Sequence, residues 1–150
     1  MELWELVARE SIRDLVARYN ANGDSGRFEA MMKVFADDAV VELVATDGDV
    51  RRFEGVPAIA SIFAATKAGW DVDVKPKAAN HHVRHCTATL QIDLVDESHA
   101  RSRCYFLVLM GHGLDHWGRY IDEFERRDHG WLITKRRAIT DGKIDSSPTP

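Results

Sequence analysis

The sequence of 150 residues has few cysteines, no long hydrophobic run and no excess of positive charge. Its two cysteines, Cys86 and Cys104, form neither a CxxC motif nor a disulfide-rich pattern, so we expect reduced core thiols and a cytoplasmic protein. The longest uncharged apolar stretch, 104–110, is far shorter than the roughly 20 residues that a membrane-spanning helix needs. Charged residues interrupt the N-terminal segment, so we expect no secretory signal. The formal net charge of −4 argues against nucleic acid or an anionic membrane as a partner.

The sequence also lacks the short motifs that mark several enzyme classes. It contains no GxGxxG, GxxxxGKS/T, GxSxG or HExxH pattern. These absences argue against a nucleotide cofactor, a serine nucleophile and a zinc protease site, so we expect no cofactor. We expect no metal site either, because His81 and His85 would lie about 13 Å apart along a strand, too far to share one ion.

Hydrophobic periodicity predicts helices in the first part of the chain and strands in the second. Apolar residues at helical spacing indicate a first helix through Tyr19, a break at 20–23, and a second helix with Phe28 and Phe35 on one face. Further elements are predicted as strands at 40–45 and 50–53, a helix beginning near Pro57, and strands at 86–94, 100–110, 117–127 and 131–140. Helices followed by long antiparallel strands predict an α+β fold, with the helices on one face of a curved sheet that encloses a cavity.

Four polar positions have more than one interpretation. Asp24 is either the N-cap of the second helix or an inward-facing functional carboxylate. Tyr19 continues the apolar stripe of the first helix, but its hydroxyl needs a partner and is available to a cavity. Of Arg136 and Arg137, only one faces inward, and burying it requires an anionic partner. For His82, His85, His99 and His129, a solvated position at a strand end is favoured.

Several stretches of the chain, taken in order, resemble the SnoaL-like group of the nuclear transport factor two-like superfamily. They are SIRDLVARY at 11–19 followed by Asp24, FADDA at 35–39, NHHV at 80–83, GRYIDEFERR at 118–127 and GWLITKR at 130–136. The resemblance implies a cone-shaped barrel, in which a strongly curved, mainly antiparallel mixed sheet wraps around the N-terminal helices, and a dimer or trimer. It predicts one domain at 1–141 and a flexible tail at 142–150.

Within this superfamily the chain is most similar to scytalone dehydratase, hexachlorocyclohexane dehydrochlorinase and the bile-acid dehydratases, which pair a histidine base with an aspartate and use no cofactor. On this resemblance Asp24 matches the aspartate and His81 the histidine, with His82 as the alternative if a bulge shifts the register by one residue. Tyr19 and Arg136 match residues that the bile-acid dehydratases add to this pair. Scytalone itself is not the expected substrate, because neither tyrosine that scytalone dehydratase uses is present at the corresponding positions.

The resemblance therefore implies a cofactor-independent lyase that removes water from a hydrophobic cyclic hydroxy-carbonyl compound. His81 would remove the proton and Asp24 would orient the imidazole, while Tyr19 and Arg136 would stabilise the substrate oxygen. The predicted substrate-binding residues are His82, Phe28, Met32, Phe53, Phe106 and Tyr120. Two alternatives remain open: an isomerase or polyketide cyclase that uses the same pair, and a non-catalytic accessory subunit like the small subunit of a ring-hydroxylating oxygenase.

Overall fold

The computed structural model describes residues 1–64, 83–147 and 149. Its elements in chain order are α1 (Leu3–Asp24), α2 (Phe28–Met32), β1 (Phe35–Val44), β2 (Val50–Glu54), α3 (Val56–Ser61), β3 (Arg84–Leu94), β4 (His99–Met110), β5 (Gly113–Arg127) and β6 (Gly130–Lys143). The predicted α+β class and the order of helices and strands are confirmed. Among the described residues, no helix is both long and apolar enough to cross a membrane.

The strands form one six-stranded sheet in the order β2-β1-β6-β5-β4-β3. Only the β1–β6 pair is parallel, so the sheet is mixed and mainly antiparallel, as predicted. The sheet is curled rather than closed, because β2 and β3 remain its two edges in the described part of the chain. Helix α1 packs against β3 at one edge and against β6 in the middle, so the curved sheet encloses a space beside the helix.

Helix α1 does not break at 20–23 as its sequence predicts, but continues to Asp24. Its end is set by Gly26, which adopts a φ of 71° that favours glycine. The Arg27 N–H donates to the Asn22 carbonyl and the Gly26 N–H to the Gly23 carbonyl, a bonding pattern that satisfies the last carbonyls of the helix. This extension places Asp24 on the last helical turn rather than at the start of α2. The second helix is shorter than predicted, because Phe35 already belongs to β1.

Strand β3 contains a bulge that reverses which residues face the helices. Ala88 pairs with Tyr105 and Gln91 with Arg103, so β3 has one residue more than β4 in this interval. Thr89 lies in the bulge with a φ of 56°, a conformation that is uncommon for threonine. Ile92 faces inward beyond the bulge, but before it the side chain of Cys86 is exposed. The prediction that Cys86 is a core thiol is therefore wrong, whereas Cys104 is buried and free as expected.

The core between sheet and helices contains one fully buried ion pair, formed by opposite residues of β5 and β6. The Arg136 guanidinium donates from Nε and Nη2 to the two oxygens of Asp122, over 2.8 and 2.7 Å. Both side chains have no exposed surface. Burial acts to lower the pKa of the Arg136 guanidinium, but the carboxylate beside it raises the pKa further, so the guanidinium stays charged.

We expect Asp122→Ala to lower the free energy of unfolding by about 3–5 kcal/mol, because the variant leaves the charge of Arg136 buried and unpaired. Asp141→Ala is a matched control, since it removes the partner of Arg119 in an ion pair between the same two strands that is partly exposed. This control is expected to cost less than about 1 kcal/mol. Urea denaturation of both variants measures the difference, and equal small losses would contradict a structural role for the buried pair.

Candidate functional site

The centre of the site is a contact between the last turn of α1 and the start of β3. The Nδ1 atom of His85 lies 2.6 Å from Oδ1 of Asp24, and the backbone N–H of His85 donates to Oδ2 over 2.8 Å. Only 11% of the Asp24 side chain and 26% of the His85 side chain are exposed. A carboxylate at Nδ1 favours a proton on that nitrogen, which leaves Nε2 as the basic atom of the neutral ring. Nε2 has no partner among the described residues.

This geometry corrects two predictions. Asp24 is not the N-cap of α2, since that position belongs to Arg27. His85 is not a solvated residue at a strand end, because the bulge in β3 turns it toward the helices. His81 and His82, the predicted base and its alternative, lie outside the described residues. Within the described part of the chain, both oxygens of Asp24 are engaged by His85.

The Asp24–His85 pair lines a cavity of about 420 Å³, which we call the main cavity. Its walls are mostly apolar, and its lining residues include Phe28, Met31, Leu43, Ile62, Phe63, Val83 and Met110. A smaller cavity of about 160 Å³ shares Tyr19, His85 and His116 with it and adds Phe106 and Tyr120. A volume of several hundred Å³ with few polar groups is typical of a site for a small hydrophobic molecule.

Tyr19 is shared by both cavities and is backed by the buried ion pair. The guanidinium carbon of Arg136 lies 4.1 Å from the ring centre of Tyr19 and 4.3 Å from that of Tyr120. Burial raises the pKa of Tyr19, and the nearby positive charge of Arg136 only partly opposes this shift. Tyr19 therefore remains a neutral phenol at physiological pH and is able to donate a hydrogen bond into the cavity.

Of the other predicted site residues, some lie on the cavity walls and some do not. Phe28 lines the main cavity, and Phe106 and Tyr120 line the smaller one. Arg136 lies behind the tyrosine rings, because Asp122 holds its guanidinium inside the sheet. Met32 faces a different groove, near Ala60, on the far side of α2. Phe53 packs against the core from β2 and does not line either cavity.

The structure adds wall residues that the sequence interpretation missed. His116 lies on β5 and lines both cavities, and its Nδ1 atom is 2.7 Å from the Asp115 carboxylate. Arg51 of β2 brings a guanidinium to both walls, and Thr149 brings a hydroxyl group from the C-terminal segment. In the sequence, only the adjacent residues Asp115 and His116 could have indicated this part of the site. The segment predicted as a flexible tail from 142 continues β6 to Lys143 and then reaches the cavity.

Across residues 1–64, 83–147 and 149, no three histidine, cysteine or acidic side chains come together in a group that could hold a metal ion. The polar side chains that face the cavities include the imidazoles of His85 and His116, the phenol of Tyr19 and the guanidinium of Arg51. These groups are suited to moving protons and to hydrogen bonding with a substrate oxygen.

Comparison with solved structures finds the same fold in several proteins. The β subunit of a putative aromatic-ring-hydroxylating dioxygenase from Novosphingobium aromaticivorans is 21% identical, with a TM-score of 0.75 over 97% of this chain and 98% of that one. A putative scytalone dehydratase from the same organism is 18% identical, with a TM-score of 0.74 over 97% and 91%. LinA is 22% identical, with a TM-score of 0.72 over 99% and 97%. No curated protein sequence matches the chain.

A family model described as the SnoaL-like domain matches residues 4–137, which is most of the chain. The match runs from the second residue of α1 to Arg137 of β6, and so contains Asp24, His85 and most of the residues that line the two cavities. The resemblance seen in the sequence is thereby confirmed, and the chain belongs to the SnoaL-like domain family.

Proposed function

We propose that the protein is a cofactor-independent lyase that removes water from a hydrophobic cyclic hydroxy-carbonyl compound. The observation that carries this proposal is the Asp24–His85 pair, which lies in the wall of a mostly apolar cavity of about 420 Å³. Two of the structural neighbours are a protein named as a putative scytalone dehydratase and LinA, a hexachlorocyclohexane dehydrochlorinase, and both names are those of eliminating enzymes, which supports the proposal.

In this proposal His85 is the general base. Its Nε2 atom takes a proton from the carbon next to the carbonyl group of the substrate. Asp24 holds the Nδ1 proton, fixes the ring orientation and stabilises the imidazolium that forms. The hydrogen bond from the His85 backbone to the same carboxylate keeps Asp24 in place during the reaction. The apolar walls exclude water and strengthen these electrostatic interactions.

Tyr19 donates a hydrogen bond to the substrate oxygen as negative charge develops on it. Its raised pKa keeps the proton on the phenol, and the guanidinium behind the ring favours negative charge in front of it. Arg136 is thus a positioning residue in this account, because Tyr19 separates it from the substrate.

An isomerase or cyclase that uses the same pair is the first alternative. Mass spectrometry of the product separates the two reactions, because elimination removes one water and isomerisation leaves the formula unchanged. A non-catalytic accessory subunit is the second alternative, and the likeness to a dioxygenase β subunit supports it. The paired carboxylate and imidazole in the cavity wall favour the enzyme, since a purely structural subunit does not need them.

We expect Asp24→Asn to lower kcat/KM by roughly 10²- to 10⁴-fold, because the imidazole loses its orienting charge. Stability should fall by no more than about 2 kcal/mol, since the amide oxygen still accepts the backbone hydrogen bond. The measurement is enone formation from a panel of cyclic β-hydroxy ketones, together with urea denaturation.

The matched control for this variant is Asp96→Asn. Asp96 forms a second contact of the same type with His99, but that pair is exposed and lies outside both cavities. This variant should retain full activity. Unchanged activity of Asp24→Asn, or an equal loss in both variants, would contradict the proposed role.

We expect Tyr19→Phe to lower kcat/KM by roughly 10²-fold, since one hydrogen-bond donor to the developing oxyanion is removed. The phenylalanine ring keeps the packing on Arg136, so the fold should be preserved. Tyr105→Phe is the control, because Tyr105 is exposed on the outer face of β4. Steady-state kinetics on the same ketones measures both variants, and equal rates in all three proteins would exclude this role for Tyr19.

We also propose that the protein forms a dimer or trimer through the outer face of its sheet. Six large apolar side chains on β4 and β5 are each at least 37% exposed there, namely Tyr105, Leu107, Leu109, Leu114, Trp117 and Ile121. The strand pairing places Leu107 opposite Trp117 and Leu109 opposite Leu114, so the side chains form one continuous patch. A contiguous apolar surface of this kind is typical of an interface.

We expect the wild-type protein to have two or three times its chain mass of 17.0 kDa in light scattering after size exclusion. Leu107→Lys should shift the mass toward that of a single chain, because a charge would be buried in the interface. Leu3→Lys is the control, as Leu3 is 76% exposed on α1, away from the patch. A monomeric wild-type protein would contradict this part of the proposal.

A further inference from the structure

The main cavity contains a second pair of a carboxylate and an imidazole, at the start of β5. Asp115 is fully buried, and its Oδ2 atom lies 2.7 Å from Nδ1 of His116. As in the Asp24–His85 pair, the carboxylate favours a proton on Nδ1 and leaves Nε2 free of partners among the described residues. Only 13% of the His116 side chain is exposed, and the ring lines both cavities.

The surroundings of Asp115 hold this second pair in one orientation. The Ser147 hydroxyl donates to Oδ2 over 2.6 Å, and the backbone carbonyl of Asp115 accepts from Ile144. His112 Nε2 lies 3.0 Å from Oδ1 in an ion-pair contact. Burial acts to raise the pKa of Asp115, but the hydrogen bonds from Ser147 and His116 outweigh it and lower the pKa. Asp115 is therefore a fixed carboxylate next to the imidazole.

The two imidazoles are neighbours in the cavity wall, with the edge of one ring toward the face of the other. Their ring centres are 6.5 Å apart and the ring planes are nearly perpendicular, at 83°. Both carboxylates hold the Nδ1 side of their ring, so the Nε2 sides are the ones available to a bound molecule. A single imidazole in the cavity wall could serve as a base. Two imidazoles allow one ring to accept a proton from the substrate while the other ring donates a proton to it.

We propose that His116 is a second catalytic residue, the general acid that protonates the departing oxygen, and that the substrates are therefore β-hydroxy carbonyl compounds rather than halides. This inference rests on the proposed lyase function, to which it adds the residue that protonates the leaving oxygen. Hydroxide is a poor leaving group and needs a proton as it departs, whereas halide or carboxylate leaves without one.

His85 Nε2 takes the proton from the carbon next to the carbonyl group, and the electrons of that C–H bond form the new C=C bond. The C–O bond to the hydroxyl group breaks, and its electron pair leaves with the oxygen, which takes the proton from His116 Nε2 and departs as water. His85 ends as the imidazolium and His116 as the neutral imidazole. The proton then returns from His85 to His116, and the resting state is restored.

The charges around His116 set the direction of its pH dependence. The groups that face it are Asp115 and His112 at the start of β5, His85 on β3 and Lys143 on β6. Burial lowers the pKa of His116, the contact with Asp115 opposes this, and the positive charge of Lys143 adds to the lowering, as a proton on His85 would. The imidazolium is thus a strong proton donor that is populated mainly below the ordinary histidine pKa of about 6.5, so the rate of water loss should already fall as pH rises through the weakly acidic range.

The test compares two leaving groups on one carbon skeleton. Cyclic β-hydroxy ketones with one and two rings are each paired with the corresponding O-acetyl ester, since both members give the same enone. His116→Gln should lower kcat/KM on the hydroxy ketones by roughly 10²-fold or more and on the acetates by less than about fivefold. The fall in rate with rising pH should disappear in this variant, and the wild-type protein should not show it on the acetates.

Two further variants separate this inference from the proposed function. His85→Gln should lose activity on both classes, because every elimination needs the base. His99→Gln, which removes an exposed histidine, should lose none. If His116→Gln loses both classes equally or neither, His116 is not the general acid, although the lyase activity stands. If the wild-type protein eliminates neither class, the proposed function fails and this inference fails with it.

Discussion

The functional part of this molecule depends on one contact between residues 61 positions apart in the chain, the contact between Asp24 and His85. A single carboxylate accepts the backbone N–H and faces the ring nitrogen of the same residue, so it fixes both the position of edge strand β3 and the orientation of the imidazole. The contact is possible because the positive φ of Gly26 terminates α1 just after Asp24, which leaves Asp24 on the last turn facing the sheet. The cavity wall, the basic nitrogen and the link between helix and sheet follow from this arrangement.

The element order could be predicted from hydrophobic periodicity, because β4 to β6 are long, alternate regularly and bury one face. Boundaries near glycine were harder to predict. Gly23 looks like a helix stop in the sequence, but the positive φ that ends α1 occurs at Gly26. Asp24 is therefore the last residue of the first helix and not the N-cap of the second helix, which was one of its two interpretations. Asp24 lines the main cavity, but only the three-dimensional bond pattern identifies His85 as its partner.

The interpretation of His85 as a solvated residue was wrong for a physical reason that a strict alternation cannot detect. Counting back in steps of two from Ile92 places Cys86 inside and His85 outside, and the bulge at Thr89 inverts both positions. Arg136 was correctly predicted to face inward and to require an anion, but the anion is Asp122 on the neighbouring strand rather than the substrate. His116 was missed because its importance comes from the approach of β3 and the C-terminal segment, which no local pattern encodes.

The central claim is that Asp24 holds a proton on Nδ1 of His85 and so leaves Nε2 free to act as a base. Long-range proton–nitrogen NMR of uniformly labelled protein at neutral pH tests this directly, with His85 assigned by substitution. We predict a protonated Nδ1 and an unprotonated Nε2 for His85 in the wild-type protein, and loss of that tautomer preference in Asp24→Asn. A ring of His85 that is protonated on Nε2 in the wild-type protein, or that is unchanged by Asp24→Asn, would contradict the account.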